Sequence, residues 1–224
     1  MKMFSKKEIF ELGSSQGLIP PFNHTDEQVA KKILDAVYAG GLRIIEFTNR
    51  SENALDVFKK LVKHADKNLP GLALGIGTIM NAKQAKQFYK AGAQFIVSPV
   101  TDKKTGEFCV KNELFWMPGA GTATEIINAT DMGADLIKVF PAEVLGPAFV
   151  KAVKAPCPWT KLMASGGVTF DENNLRQWFA AGVDCVAMGS NLFSKEVMQE
   201  GNYALLTERI QWLLGTIATV RKSS

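Results

Sequence analysis

The sequence has few of the side chains that build metal centres and disulfide frameworks. Its 224 residues include two histidines and three cysteines. No cysteine pair is spaced as CxxC, and neither histidine stands in an HxxxH or HExxH pattern. An odd number of isolated cysteines also argues against a set of paired disulfides. We therefore expect no structural disulfide, no metal centre and no other cofactor.

Long apolar runs and strongly charged segments are absent as well. No stretch approaches the roughly 20 apolar residues that span a bilayer. The opening MKMFSKKEIFELGSSQ is typical of a short amphipathic helix and lacks the apolar segment of a signal peptide. A formal charge of +4, without a Lys/Arg run or an aromatic–basic stripe, does not favour nucleic-acid binding. The expectation is a cytoplasmic protein that binds neither membrane nor nucleic acid.

What the chain does contain is a repeated unit. Each copy follows a helical pattern, opens with a glycine suited to a helix C-terminus, and continues into a β-rich stretch. The four copies are GLRIIEF from Gly41, GAQFIVS from Gly92, GADLIKV from Gly133 and GVDCVAM from Gly182. Four further strand candidates lie near residues 17–22, 72–78, 114–119 and 161–167.

Eight strands alternating with helices predict an α/β fold, a (β/α)₈ TIM barrel preceded by a short N-terminal helix. A doubly wound open sheet alternates in the same way, but its GxGxxG fingerprint is incomplete in GIGTIM, which lacks the third glycine. No Pro/Gly-rich linker divides the chain, so we expect one domain over residues 1–224. Residues 98–116, SPVTDKKTGEFCVKNELFW, are expected to form a long polar loop carrying a local hairpin or a lid.

Lys138 is unusual because it stands in the apolar segment LIKVFPAE. It follows the glycine of its repeat by five residues, the place that Glu46, Val97 and Ala187 occupy in the other copies. These positions fall on strands 2, 4, 6 and 8 of the predicted barrel, and alternate strands supply the four side chains of one interior layer. We therefore predict that Glu46 and Lys138 face a common cavity at the C-terminal strand ends, where barrel enzymes place their chemistry.

The neighbouring positions support the same register. Period-two alternation sends Ile45, Ile137 and Val139 outward beneath the helices. Val97 and Ala187 are small, which leaves space for a ligand between the two charged side chains.

A buried lysine–glutamate pair has a structural alternative, an internal ion pair. Such pairs seldom stabilise a protein more than apolar replacements of similar volume, which favours a functional interpretation. Loss of solvation disfavours the ammonium form and leaves an amine that can attack a carbonyl carbon. A carboxylate beside it can move protons. Lys138 and Glu46 therefore suit Schiff-base chemistry on a carbonyl substrate.

Glycines after strands 7 and 8 predict an anion site. Gly166 and Gly167 precede a helix expected to begin around 169–173, and Gly189 and Ser190 follow the last strand. Glycine lets backbone N–H groups approach an anion closely. Loops after strands 7 and 8 are the recurring phosphate site of this fold, so the pattern favours a phosphorylated ligand.

Two further polar residues follow strands 2 and 3. Arg50 lies four residues after Glu46 and can bind a carboxylate through its guanidinium fork; a solvated loop arginine is the alternative. Thr78 either donates its hydroxyl to the same carboxylate or caps the helix expected near Asn81.

These segments resemble the KDPG/KHG aldolases, the class I enzymes that cleave 2-keto-3-deoxy-6-phosphogluconate (KDPG) or 4-hydroxy-2-oxoglutarate (KHG). The similar segments keep the family's order between residues 17 and 194. They are GGLRIIEFTNRSENA, GIGTIMNAKQAKQFYKAGAQFIVSP, PGAGTATE, IKVFPAE and SGGV. The chain departs from the family at Val100, where glycine usually follows Ser-Pro, and at Ser165, where threonine is frequent.

The resemblance implies a role for each candidate residue. Lys138 would form the Schiff base, Glu46 would shuttle protons, and Phe140 would pack beside the imine. Arg50 and Thr78 would bind the substrate carboxylate. The phosphate would be held by Gly166, Gly167, Gly189 and Ser190.

The resemblance also implies a homotrimer and a small keto-acid phosphate as the substrate. The expected reaction is cleavage of KDPG to pyruvate and glyceraldehyde 3-phosphate. One alternative is cleavage of KHG or of another phosphorylated 2-keto-3-deoxy acid. The other is a barrel that binds sugar phosphates without turning them over.

Overall fold

The computed structural model describes residues 3–222 of the chain as parallel strands alternating with helices. Each strand is short and largely buried, as expected for parallel strands that have one face covered by helices and the other face packed in an apolar interior. The strands are β1 (Pro21–Phe22), β2 (Ile44–Thr48), β3 (Ala73–Gly77), β4 (Phe95–Val97), β5 (Phe115–Met117), β6 (Gly119–Ala120), β7 (Ile137–Val139), β8 (Leu162–Ser165) and β9 (Cys185–Ala187).

All of the helices except the first surround the strands. They are α1 (Lys6–Gln16), α2 (Glu27–Ala39), α3 (Ala54–Asn68), α4 (Ala82–Lys90), α5 (Lys103–Lys111), α6 (Ala123–Asp131), α7 (Ala142–Lys154), α8 (Glu172–Ala180), α9 (Lys195–Met198) and α10 (Tyr203–Lys222). None of the helices within residues 3–222 is both long and apolar enough to cross a membrane.

The strands close into an eight-stranded barrel. Parallel pairing runs from β1 to β5 and from β6 to β9. β5 and β6 are two parts of the fifth barrel strand, separated by Pro118, whose nitrogen cannot donate a hydrogen bond. A parallel bridge between Leu18 and Val186 joins the segment before β1 to β9. The predicted (β/α)₈ barrel with a short N-terminal helix is therefore confirmed.

The barrel has an apolar interior that is separate from the core beneath the helices. Val97 and Ala187 pack in the interior cluster with Phe95, whereas Ile45 and Val139 belong to the outer core. The inward and outward register predicted from the repeats is confirmed at these positions. α1 places Ile9 in the interior cluster and so closes the N-terminal end of the barrel.

The prediction for residues 98–116 is wrong, because the segment contains the helix α5 rather than a long loop. Asp102 caps α5 by accepting a hydrogen bond from the backbone N–H of Thr105. The buried face of α5 is built from Thr105, Gly106 and Cys109, so it carries little hydrophobic signal. Gly106 is required by close packing, since a Cβ there would lie 2.6 Å from the ring of Trp116.

Gly75→Ala is expected to destabilise the barrel. A Cβ at Gly75 would lie 2.2 Å from two ring atoms of Phe95, a fully buried interior side chain. Overpacking of this kind costs about 1–3 kcal/mol, which urea unfolding would measure. Gly215→Ala is the matched control, because nothing lies within 4 Å of a Cβ there. It should raise the free energy of unfolding by up to about 1 kcal/mol through helix propensity. Equal stability of the two variants would contradict this packing.

Candidate active site

The barrel interior holds two ionisable side chains near the C-terminal ends of its strands. Glu46 lies on β2 and is 1% exposed; Lys138 lies on β7 and is 6% exposed. In the register of the paired strands, Glu46 lies opposite Gly75, and Lys138 lies opposite Gly119 and Met163. The positive charge of Lys138 attracts the Glu46 carboxylate and so opposes the rise in the pKa of Glu46. Among the contacts of residues 3–222 they form no direct ion pair.

Gly77 makes room for the Glu46 carboxyl group. A Cβ at Gly77 would lie 1.6 Å from Oε1 of Glu46, so only glycine allows this placement. The other oxygen, Oε2, is buried and accepts no hydrogen bond from residues 3–222. Burial raises the pKa of Glu46 above its ordinary value, and the charges of Lys138 and Arg50 oppose this rise. A carboxyl group of this kind holds its proton more tightly than an exposed glutamate and is a candidate for general acid–base chemistry.

Phe140 connects Lys138 to the surface. The Nζ of Lys138 lies 5.2 Å from the centroid of the Phe140 ring, within cation–π range. Phe140 is 37% exposed and follows β7 directly, and its peptide bond to Pro141 is cis. The ring is therefore beside the amine and at the rim of the barrel.

Arg50 and Thr78 lie together beyond the ends of β2 and β3. The Nε of Arg50 donates a hydrogen bond to Oγ1 of Thr78 at 3.2 Å. Thr78 has a φ of 58°, a left-handed conformation that β-branched residues rarely adopt and that is often found at functional sites. The capping alternative for Thr78 is wrong, because the side chain of Asn81 caps α4 by accepting from Gln84.

A cavity of about 400 Å³ opens at this end of the barrel. It is lined by six of the nine residues that the sequence singled out. These are Arg50, Phe140, Gly166, Gly167, Gly189 and Ser190. Lys138, Glu46 and Thr78 do not line it; the first two lie deeper in the interior. A second cavity, of about 580 Å³, is also lined by Phe140 and touches neither Arg50 nor the glycine loops.

The glycine loops are held together by side-chain hydrogen bonds. Gly166 and Gly167 have φ values of 106° and 69°, which favour glycine. Asn174, in the first turn of α8, donates to the carbonyl of Gly167 at 3.0 Å. Asn191 donates to the carbonyl of Val168 at 2.9 Å and so links the loop after β9 to the loop after β8. Two loops on neighbouring strands are thereby fixed around one end of the cavity.

Sequence reasoning missed several residues of this cavity. Asn23 follows β1 and donates to the carbonyl of Thr48 at 2.7 Å. Thr48 ends β2, and Asn191 follows β9; all three line the cavity. Their position at the last residue of a strand, or within four residues after it, was the available signal. Among residues 3–222, no three His, Cys, Asp or Glu side chains come together as a metal ion would require.

Known proteins resemble this chain over most of its length. The sequence pattern of the KDPG and KHG aldolase family matches residues 12–209. A 2-dehydro-3-deoxy-phosphogluconate aldolase of Pseudomonas aeruginosa is 35% identical over 76% of this chain and 75% of its own. A 2-dehydro-3-deoxy-6-phosphogalactonate aldolase of Escherichia coli is 36% identical over 54% of this chain and 58% of its own.

A solved structure resembles the fold closely. It is the KDPG aldolase of Legionella pneumophila with pyruvate captured at low pH as a covalent carbinolamine intermediate. The two structures share a TM-score of 0.83 at 25% identity, over 91% of this chain and 97% of the other.

Glu46→Gln should stabilise the protein increasingly as the pH rises above about 4.5. Below the ordinary pKa of 4.5, Glu46 is protonated in the folded and the unfolded chain, and glutamine imitates that form. At higher pH the unfolded chain loses this proton first, so the free energy of unfolding of the wild type falls until the raised folded pKa is passed. Each tenfold difference in proton affinity is worth about 1.4 kcal/mol. Urea unfolding from pH 4 to 8 measures the difference.

Glu125→Gln is the control of opposite sign. Hydrogen bonds from the Gly121 N–H and from Thr122 lower the pKa of Glu125. Glu125 therefore stabilises the fold above its unfolded pKa, and its replacement should lose stability relative to wild type as the pH rises. A pH-independent difference between wild type and Glu46→Gln would contradict the buried environment of Glu46.

Proposed function

Because the chain belongs to the KDPG and KHG aldolase family, a family of carbon–carbon lyases, we propose that it cleaves KDPG to pyruvate and glyceraldehyde 3-phosphate through a Schiff base on Lys138. The observation that carries this proposal is the burial of Lys138 and Glu46 in one barrel interior, beneath a cavity with paired glycine loops. Membership of an enzyme family argues against a barrel that only binds sugar phosphates.

The first half of the reaction forms the imine. The amine of Lys138 attacks the C2 ketone and gives a carbinolamine. Glu46 protonates the departing hydroxyl group, which leaves as water, and the carbon–nitrogen double bond forms. The carbinolamine of pyruvate in the similar Legionella structure is the corresponding adduct in that protein.

The second half breaks the carbon–carbon bond. Glu46, now a carboxylate, accepts the proton of the C4 hydroxyl group, and the C3–C4 bond breaks. The electron pair moves into the protonated imine and gives an enamine, while the aldehyde leaves. Protonation of the enamine at C3 and addition of water to the imine then release pyruvate and restore the amine.

Burial suits Glu46 to this double role. A general acid–base works best when its pKa lies near the working pH, and burial raises the pKa of Glu46 from its ordinary acidic value toward that range. The apolar interior also strengthens the attraction between the carboxylate and the positive imine.

The cavity supports a substrate with an anion at each end. The guanidinium of Arg50, held by Thr78, would bind the carboxylate beside C2 in a bidentate manner. The loops with Gly166, Gly167, Gly189 and Ser190 would bind the phosphate through backbone N–H groups and one hydroxyl. These loops favour a phosphorylated substrate over KHG, which has no phosphate.

The configuration of the sugar acid is a finer part of the proposal. Identity to the phosphogluconate and phosphogalactonate aldolases is nearly the same, at 35% and 36%. The longer match to the former supports KDPG, and the phosphogalactonate epimer is the alternative. The homotrimer implied by the resemblance stays a prediction.

Lys138→Ala should abolish covalent trapping of pyruvate. Borohydride reduction of the wild type in the presence of pyruvate should add one stable label, and peptide mass spectrometry should locate it at Lys138. Cleavage should fall by about 10⁴-fold or more without the nucleophile. Lys86→Ala, which removes an exposed lysine on α4, should be labelled and active as wild type. Labelling at another lysine, or cleavage that requires a divalent metal, would contradict the mechanism.

Ser190→Ala should weaken binding of phosphorylated substrates alone. A hydrogen bond to a charged group contributes about 1.5–3 kcal/mol, so KM for KDPG should rise about 10- to 100-fold. Turnover of KHG by the same variant is the internal control and should not change. The comparison uses a panel of KDPG, its galactonate epimer and KHG. A wild-type preference for KHG, or an equal loss on all three, would exclude a phosphate site at these loops.

A further inference from the structure

Thr48 has a buried hydroxyl group without a hydrogen-bond partner. The residue is 1% exposed, and its Oγ1 is paired with no group of residues 3–222. The other two buried threonines differ. Thr105 donates to Asp102 at 2.7 Å, and Thr160 donates to the carbonyl of Cys157 at 2.8 Å. Most buried hydroxyl groups are paired in folded proteins, and Thr48 is an exception that also lines the cavity of about 400 Å³, which points to a partner from outside the chain.

The register of β2 places this hydroxyl on the same side as the candidate acid–base. Thr48 follows Glu46 by two residues, and side chains two apart in a strand point to the same face. Glu46 points into the barrel, so Thr48 lies on the inward face one step closer to the rim.

Gly77 brings the two groups to the same height in the barrel. The Glu46 carboxyl group leans over Gly77, since a Cβ there would lie 1.6 Å from Oε1. Gly77 is also the strand partner of Thr48. The carboxyl group of Glu46 therefore lies at the level of Thr48 along the barrel axis. The two side chains nevertheless make no hydrogen bond with each other. Each leaves one oxygen unpaired, Oε2 of Glu46 and Oγ1 of Thr48.

Thr48 is also the member of this pair that reaches the cavity. The cavity of about 400 Å³ is lined by Thr48 and Arg50, the residues on either side of Asn49, but not by Glu46. A ligand atom that approaches the Glu46 carboxyl group from the cavity therefore passes Thr48.

We propose that Thr48 is a positioning residue for proton transfer: its hydroxyl group holds the oxygen atom that exchanges a proton with Glu46. This oxygen belongs to a water molecule between the substrate and the acid. The inference rests on the proposed function, because it assigns a partner to the acid–base of that reaction.

The chemistry leaves Thr48 unchanged. In the forward step the bound water molecule takes a proton from the substrate as it gives one to the Glu46 carboxylate, and in the reverse step both transfers run the other way. The threonine hydroxyl keeps its own proton throughout and supplies a hydrogen bond that orients the oxygen. Proton transfer depends on such orientation, because donor and acceptor must lie within hydrogen-bonding distance.

The test separates imine formation from proton transfer. The full-length Thr48→Val variant, in which a methyl group replaces the hydroxyl, is compared with wild type. Borohydride trapping of pyruvate reports the imine. Exchange of the pyruvate methyl hydrogens in deuterium oxide, followed by NMR, reports proton transfer between imine and enamine without any aldehyde. The melting temperature reports stability.

We expect Thr48→Val to trap pyruvate as wild type does and to lose about 10²-fold in methyl exchange, the lower end of the range for general acid–base catalysis. The loss should appear in kcat for cleavage, with KM little changed. Thr48→Ser restores the hydroxyl and should recover most of the exchange rate. The melting temperature of Thr48→Val should not fall, because the variant removes an unpaired buried hydroxyl.

Ser98→Ala is the matched control. Ser98 has a hydroxyl group that is equally buried and unpaired, but it does not line the cavity; its removal should leave exchange and cleavage as in wild type. Exchange by Thr48→Val within about twofold of wild type would overturn the inference, as would equal losses in Thr48→Ser. A lower melting temperature accompanied by lost trapping would assign Thr48 a structural role instead. If the wild type itself traps no pyruvate, the proposed function fails rather than this inference alone.

Discussion

The burial of two ionisable groups in an apolar barrel is the constraint on which the site depends. Glu46 and Lys138 are almost inaccessible to solvent, and a charge in such surroundings is costly unless it has a partner. The attraction between Glu46 and Lys138 reduces this cost without removing it, because burial still dominates the pKa of Glu46. A carboxyl group that binds its proton more tightly than usual is destabilising for folding but useful for proton transfer.

The rest of the barrel maintains this arrangement. Gly77 lacks the side chain that would exclude the Glu46 carboxyl group. Val97 and Ala187 belong to the apolar cluster of the interior. α1 packs Ile9 into the opposite end of the interior, and the cavity and the two glycine loops lie at the rim. The buried ionisable groups destabilise one end of the barrel, and the apolar packing of the remainder offsets this cost.

The interior layer could be predicted because it depends on simple periodicities. Repeats with the same glycine offset occupy equivalent strands, and a strand alternates its side chains with a period of two. That reasoning placed Val97 and Ala187 inside and Ile45 outside, as the structure confirms. It failed for α5, whose buried face consists of small or polar residues. Such a face gives no hydrophobic periodicity, and the helix depends on a ring of Trp116 that fits over Gly106.

The sequence by itself determined the alternation of strands and helices, the order of the site motifs and the strand ends at which they lie, since all of these follow from local pattern and chain order. The tertiary structure decided which side chains from distant segments of the chain lie close together. That Thr78 supports Arg50 rather than capping a helix, and that Thr48 and the Glu46 carboxyl group reach the same level beside Gly77, depends on strand pairing between distant segments. Local pattern carries no information on such distances, because they are set only when the barrel closes.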